Sequence, residues 1–404
     1  MLVRLFYKNT AFSKKFQRDL NLFLLHHIAT RGVFVYGIMV LFFLEFGLSF
    51  TAIMVLSVAE SLSSLVFTLP AGLLADIWSK KKVVIIGKIL SIVGFLTYII
   101  NPSFLTFLIA EILLSAGNSC ISSADTSFLY TKFKHNKQEN FYKSFIAFKN
   151  SKTIIVGAFT TTGATILYAI DFYWPFILSV ISLLISIFIL SKITEEKSDV
   201  ALNIDNEKAV KLRIKESITD IKNNKNLRDL TVLNGIFIVM LANISYVSGA
   251  YLQELGMEII YLGFFFFLTS MIASYVSKKS IILYEKYKSK FYQTLLLFLS
   301  LSIILMSVRN WLLIAMIIIL IRSMSALMMP VLSANINSHI EDKNRTTALS
   351  MVGFVYSMLS VVIDPAIGLL MDATSTSIAF LYVGIVFTTI SIIYTIKHSR
   401  HTTT

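Results

Sequence analysis

The sequence predicts an all-α membrane protein, with twelve transmembrane helices in two pseudo-symmetric bundles of six. Three observations carry that reading. Of 404 residues, 56% are hydrophobic and only 15% charged, where a soluble domain carries about 25% charged residues. The mean hydropathy is +0.74, and the apolar residues gather in runs of roughly the 20 residues that cross a hydrocarbon layer. Lysine and arginine fall almost wholly in alternate loops between those runs.

The runs lie near residues 20–44, 50–74, 83–101, 104–130, 144–170 and 173–191, then 229–251, 257–277, 291–308, 311–334, 347–371 and 377–396. None shows the period-2 alternation of membrane strands. In lipid each backbone group must then be satisfied within its own segment, which makes the runs helices. The first is too long for the apolar core of a signal peptide and no small-residue cleavage site follows it, so it reads as the first membrane helix. The single Cys120 cannot form an intramolecular disulfide.

Placing the N-terminus inside puts nearly every cation on one side. Arg31 and Arg322 lie within runs, and Arg309 alone falls on the other side. Lys88 counts here with the loop between runs 2 and 3, and Lys149 and Lys152 with the inner surface. Such a bias places both termini in the cytoplasm and the chain in the cell membrane. It also accounts for a net charge of +13 with the lipid bilayer, and no nucleic acid, as partner.

Three segments follow: residues 1–191 as an N-terminal six-helix bundle, 192–228 as a cytoplasmic linker, and 229–404 as a C-terminal six-helix bundle. In the linker Val210, Ile214, Ile218 and Ile221 repeat at helical spacing among lysines, the pattern of an amphipathic helix on the membrane surface. The halves echo each other: Lys80-Lys81-Lys82 aligns with Lys286-Tyr287-Lys288, and Ser144 to Phe148 with Ser350 to Phe354. Internal repeats of this kind belong to transporters, whose substrate path runs between the repeats near the bilayer midplane.

A charge at mid-bilayer costs about 2.5–3.5 kcal/mol and needs a partner or a wet cavity. The candidates for a transport or coupling role are Arg31, Glu60, Glu111, Asp125, Arg322 and Asp364. At 1.5 Å of rise per residue, Arg31 and Glu60 differ in depth by only about 5 Å, so Arg31 can pair with Glu60, or with Asp125 nearer the cytoplasm. Arg322 can pair with Asp364, whose neighbour Pro365 removes a backbone donor and favours a bend. His26 and His27 read as polar residues at the cytoplasmic end of run 1, with a proton relay as the alternative. Met324, Met328 and Met329 shape an adaptable apolar surface near Arg322. The sequence holds no Gly-Lys-Ser/Thr phosphate loop and no His-Glu-x-x-His motif, so neither an enzyme nor a cofactor or metal is expected.

Residues 70–82 read Pro-Ala-Gly-Leu-Leu-Ala-Asp-Ile-Trp-Ser-Lys-Lys-Lys. Gly72 permits close helix packing, Asp76 can meet a cation or a helix N-terminus, and Lys80 and Lys81 stay in the cytoplasm. The four form a candidate conformational latch. This stretch resembles the loop 2–3 signature of the major facilitator superfamily, with Ile77 and Ser79 replacing its usual Arg and Gly. Two further stretches resemble the superfamily's bacterial macrolide-efflux-like, drug-efflux branch. One is Glu111-Ile-Leu-Leu-Ser-Ala-Gly117 with Ser122 to Asp125 and Phe128 to Tyr130. The other is Arg345 to Ser350 with Pro365-x-x-Gly368-x-x-x-Asp372. The resemblance implies a secondary transporter that works as a monomer. Its cavity is ringed by helices 1, 4, 7 and 10, and it exports a small amphipathic or lipophilic compound against protons or another coupling ion. Uptake of a nutrient, and a non-transporting sensor or immunity protein that keeps the fold, are the alternatives.

Overall fold

The computed structural model describes residues 12–195, 225–338 and 345–399. The expected linker helix over Val210 to Ile221 lies outside the described residues. Within them every regular element is helical: α1 Lys14–Thr30, α2 Met39–Glu45, α3 Phe50–Ile77, α4 Lys80–Ile100, α5 Phe104–His135, α6 Tyr142–Ile170 and α7 Trp174–Ser191. Beyond the linker come α8 Lys225–Glu254, α9 Ile259–Ser277, α10 Ser280–Tyr287, α11 Ser289–Leu305, α12 Trp311–Ser338, α13 Arg345–Ala373 and α14 Thr376–Ser399. Serines start several of them: Ser13 caps α1, Ser79 caps α4, and Ser103 caps α5 in a reciprocal box with Thr106.

Among the described residues ten helices are long and apolar enough to cross a membrane, and the bent pair α10 and α11 brings the number to eleven when counted as one span. The remaining run is the first, and here the expectation of one continuous helix is corrected. α1 stops at Thr30 and Arg31 takes its C-cap. The chain is then non-helical until α2 begins at Met39. Gly32, β-branched Val33 and Val35, and Gly37 at φ +93° all disfavour helix. A break is tolerated in lipid only if neighbouring side chains take up the freed backbone groups. One face of helix α7 takes up a freed N–H and adds bonds to carbonyls at the end of α1. Phe34 N–H donates to Ser179 Oγ at 2.8 Å, and Ser182 Oγ donates to Ala29 O at 2.7 Å. Ser186 Oγ donates to His26 O at 2.9 Å. Gly32 lies so close to Ser182 that any Cβ there would collide with its hydroxyl.

Two compact units divide the chain. One contains residues 1–39 and 59–204, the other 40–58 and 205–404. The first has an aromatic core in which Phe16 meets Phe133 edge-on, beside buried Phe23, Phe128 and Phe145. At the same end a buried ion pair joins Asp19 to Lys132 Nζ at 2.7 Å, with Thr194 Oγ1 also donating to Asp19. In the second unit, Asp372 at the end of α13 caps the N-terminus of α3, accepting from Phe50 N–H, Thr51 N–H and Thr51 Oγ1 at 2.8, 2.8 and 2.5 Å. Gly368, one turn earlier, lets that backbone approach: a Cβ there would stand 2.7 Å from Thr51 Cα. Helix α13 continues through Pro365 without interruption.

Candidate functional site

The first unit holds a buried network around Asp125 of α5. His27 Nε2 meets Asp125 Oδ2 at 2.7 Å and His26 Nε2 meets Oδ1 at 3.4 Å. His26 Nδ1 reaches Ser186 Oγ at 2.8 Å, the same serine that holds the backbone below the break in run 1. From α4 the fully buried Lys88 donates from Nζ to Thr30 Oγ1 at 2.5 Å and interacts electrostatically with Asp125. Lys149 of α6, also buried, interacts with Asp125 and with Arg31. The His26 side chain is 1% exposed and that of His27 14%, so His27 is the more exposed of the two.

Three expectations change here. Asp125 pairs with histidines and not with Arg31. The two histidines lie inside the unit and not at its polar rim. Lys88 and Lys149 are buried in the packed helices and do not reach out to the membrane surface. The donor atoms of His26, His27 and Asp125 lie within 4.8 Å of one another, a spacing that could receive a cation, and the buried ammonium groups already supply positive charge there.

A second group lies further along α3 and α5. Tyr98 Oη donates to the buried Glu111 at 2.6 Å, and Ser115 Oγ donates to the backbone oxygen of Glu60 at 2.8 Å. The Glu60 and Glu111 carboxylates act on each other electrostatically, and both act on the Tyr36 phenol together with Arg31. Arg31, Tyr36 and Glu60 are exposed. Arg31 makes no ion pair among the described residues, so the expected Arg31–Glu60 pair is absent. Exposed charged groups and a phenol within a span would be costly against lipid.

In the second unit Asp364 accepts from Asn243 Nδ2 at 2.7 Å and from Ser360 Oγ. It does not pair with Arg322, against expectation. Arg322 instead sits over the Phe266 ring at 5.0 Å from its centroid, and its Nε is buried without an acceptor. It lines a cavity of about 350 Å³ with Ser245, Ser270 and Ser325.

Comparison with known families decides what these helices are. The sequence matches the family model of the Major Facilitator Superfamily over residues 22–297. The chain belongs to the major facilitator superfamily. No curated protein matches it by sequence. Solved structures share the fold at low identity. The nucleoside transporter NupG superposes with a TM-score of 0.70 at 10% identity, covering 95% of this chain and 98% of that one. A bacterial homologue of the human lysosomal transporter Spinster gives 0.69 at 12%, covering 96% and 98%. The peptide transporter POT in complex with sulfate gives 0.68 at 13%, covering 96% and 94%.

This major facilitator protein is therefore a multi-pass membrane protein with a transporter fold. In its loop 2–3 signature, a Cβ at Gly72 would meet nothing within 4 Å among the described residues. The Asp76 side chain lies outside the described residues. Ile77 is 72% exposed. Ser79, in place of the usual Gly, caps α4 and donates to Glu195. Lys80 Nζ donates to Thr131, and Lys81 Nζ to the backbone oxygens of Ser191 and Ile193, so both lysines tie helices of the first unit together. Sequence reasoning missed the role of Lys88 and of the serine face of α7. The spacing of Ser179, Ser182 and Ser186 on one helix face was the available signal for the latter.

Proposed function

We propose that this protein is a secondary active transporter that uses protons to export a small amphipathic or lipophilic compound by alternating access. The observation that carries the proposal is the carboxylate of Asp125, shared by two imidazoles and facing two buried lysines. A network with this many ionisable groups costs stability in a helix bundle. Imidazoles clustered on a buried carboxylate beside two lysines suit a site whose charge changes during a cycle. His26 and Ser186 connect the site to the break in run 1, so a change in charge pulls on that broken span. Glu60, Glu111 and Arg31 form the polar lining in the first unit, and Arg322 and Asp364 in the second. Gly72, Asp76, Lys80 and Lys81 act as a latch that engages in another state of the cycle. Both termini lie in the cytoplasm and the protein works as a monomer in the cell membrane.

The test is flux in liposomes holding the purified protein, with a substrate panel and with or without an imposed pH gradient. Asp125→Asn and Glu60→Gln should insert and fold but lose gradient-driven movement. Normal gradient-driven export by both variants would sink the coupling scheme.

A further inference from the structure

We propose that the cavity beside Arg322 binds the anionic head of an amphipathic organic acid, so that the transported compound carries a carboxylate or a similar oxyanion. The inference rests on the transport reading above and narrows it to a substrate class.

The argument begins with a permanent charge. An arginine guanidinium stays protonated in a protein, and Arg322 holds it near the middle of α12, where an uncompensated charge is costly. The acid that the sequence offers as its partner, Asp364, is bonded to Asn243 and Ser360. Among the described residues no carboxylate lies within ion-pairing distance of Arg322, and its Nε is buried with no acceptor. The Phe266 ring 5.0 Å away stabilises the cation but has no lone pair for a planar fork of N–H donors to bond. What the site lacks is an acceptor, and the space beside it is open: a cavity of about 350 Å³, at the small end of the roughly 300–1,000 Å³ typical of small-molecule sites.

The rest of the lining says what kind of acceptor fits. Ser245 from α8, Ser270 from α9 and Ser325 from α12 bring hydroxyls from three helices to the same cavity, and no acid lines it. Ser325 is three residues beyond Arg322 and so shares its helix face. Leu241 and Met329 supply apolar wall. Ser270 Oγ already donates to Phe266 O, so a bidentate cation, the Ser245 and Ser325 hydroxyls and an apolar remainder are what match a carboxylate on a hydrophobic body. An amine would meet Arg322 as a like charge, and an alcohol would leave the guanidinium uncompensated.

The experiment measures binding, not flux, on the purified full chain in detergent, by ligand-dependent thermal protection. The probes are phenylbutyrate, phenylbutylamine and phenylbutanol, which share a body and differ in the head. Phenylbutyrate should protect saturably and the other two should not. Arg322→Met should weaken phenylbutyrate on the order of ten- to hundredfold, the loss of hydrogen bonds to a charged group, with Arg322→Lys in between. Should Arg322→Met fail to fold, Ser325→Ala must weaken the acid about three- to tenfold. Equal protection by the three probes, no saturable protection by the acid up to millimolar concentration, or an unchanged affinity in folded Arg322→Met or Ser325→Ala overturns the site. The two readings fail separately. Loss of acid binding leaves gradient-driven flux of another compound untouched. Tight acid binding without flux in liposomes refutes transport and keeps the site.

Discussion

Replacing Lys88 by methionine puts the Asp125 network to a quantitative test. Methionine keeps the length of the stem and most of its packing, so the change removes mainly the charge and the bond from Nζ to Thr30 Oγ1, 2.5 Å long. Stripping one member from a buried ion pair costs about 3–5 kcal/mol when the survivor is left uncompensated. Asp125 is not left so: His27 remains at 2.7 Å and His26 at 3.4 Å. The expected cost of Lys88→Met is therefore below that range, about 2 kcal/mol. Asp125→Asn is worse, about 3 kcal/mol, because it leaves Lys88 and Lys149 buried and facing a neutral group. The double variant removes both signs and should cost about 1–2 kcal/mol less than the sum of the singles. Reversible unfolding in mixed micelles, run as a double-mutant cycle, measures all three. Additivity within about 0.5 kcal/mol would mean that Lys88 is not the counter-charge of Asp125.

Three further outcomes rest on named contacts. Ser186→Ala removes the partner of His26 Nδ1, of the His26 carbonyl and of Thr30. It should cost about 1–3 kcal/mol by the same unfolding measurement, and a neutral result would count against α7 as the support of the broken span. Asp372→Ala removes the cap on α3 and should lower stability by about 1–2 kcal/mol, with Asp372→Asn milder because its amide oxygen still accepts. Gly368→Val should be equally harmful through steric contact with Thr51, so a Gly368→Val protein of unchanged Tm would contradict the close approach of α13 to α3.

Much of the fold was legible from composition and period alone. Lipid leaves the backbone one economical solution, so twelve apolar runs without strand alternation mean helices, and the loop signature around Gly72 and Asp76 points to the superfamily. Helix interruptions were less legible. The run from 20 to 44 is mostly apolar, yet it breaks at Arg31, where serines on α7, some 150 residues away, bond the Phe34 N–H and brace the end of α1. Intramembrane charges could be recognised one by one, since each is expensive wherever it sits. Their pairing could not be read in advance. Depth along a helix says which groups share a layer, but rotation about the helix axis decides which of them meet. That rotation turned Asp125 toward His26 and His27 and Asp364 toward Asn243. It also drew Lys88 out of an assumed loop into the interior, and it left Arg322 facing a cavity with no acid. The sequence alone determined that charges had to be compensated. The packing of helices distant in the chain decided by what.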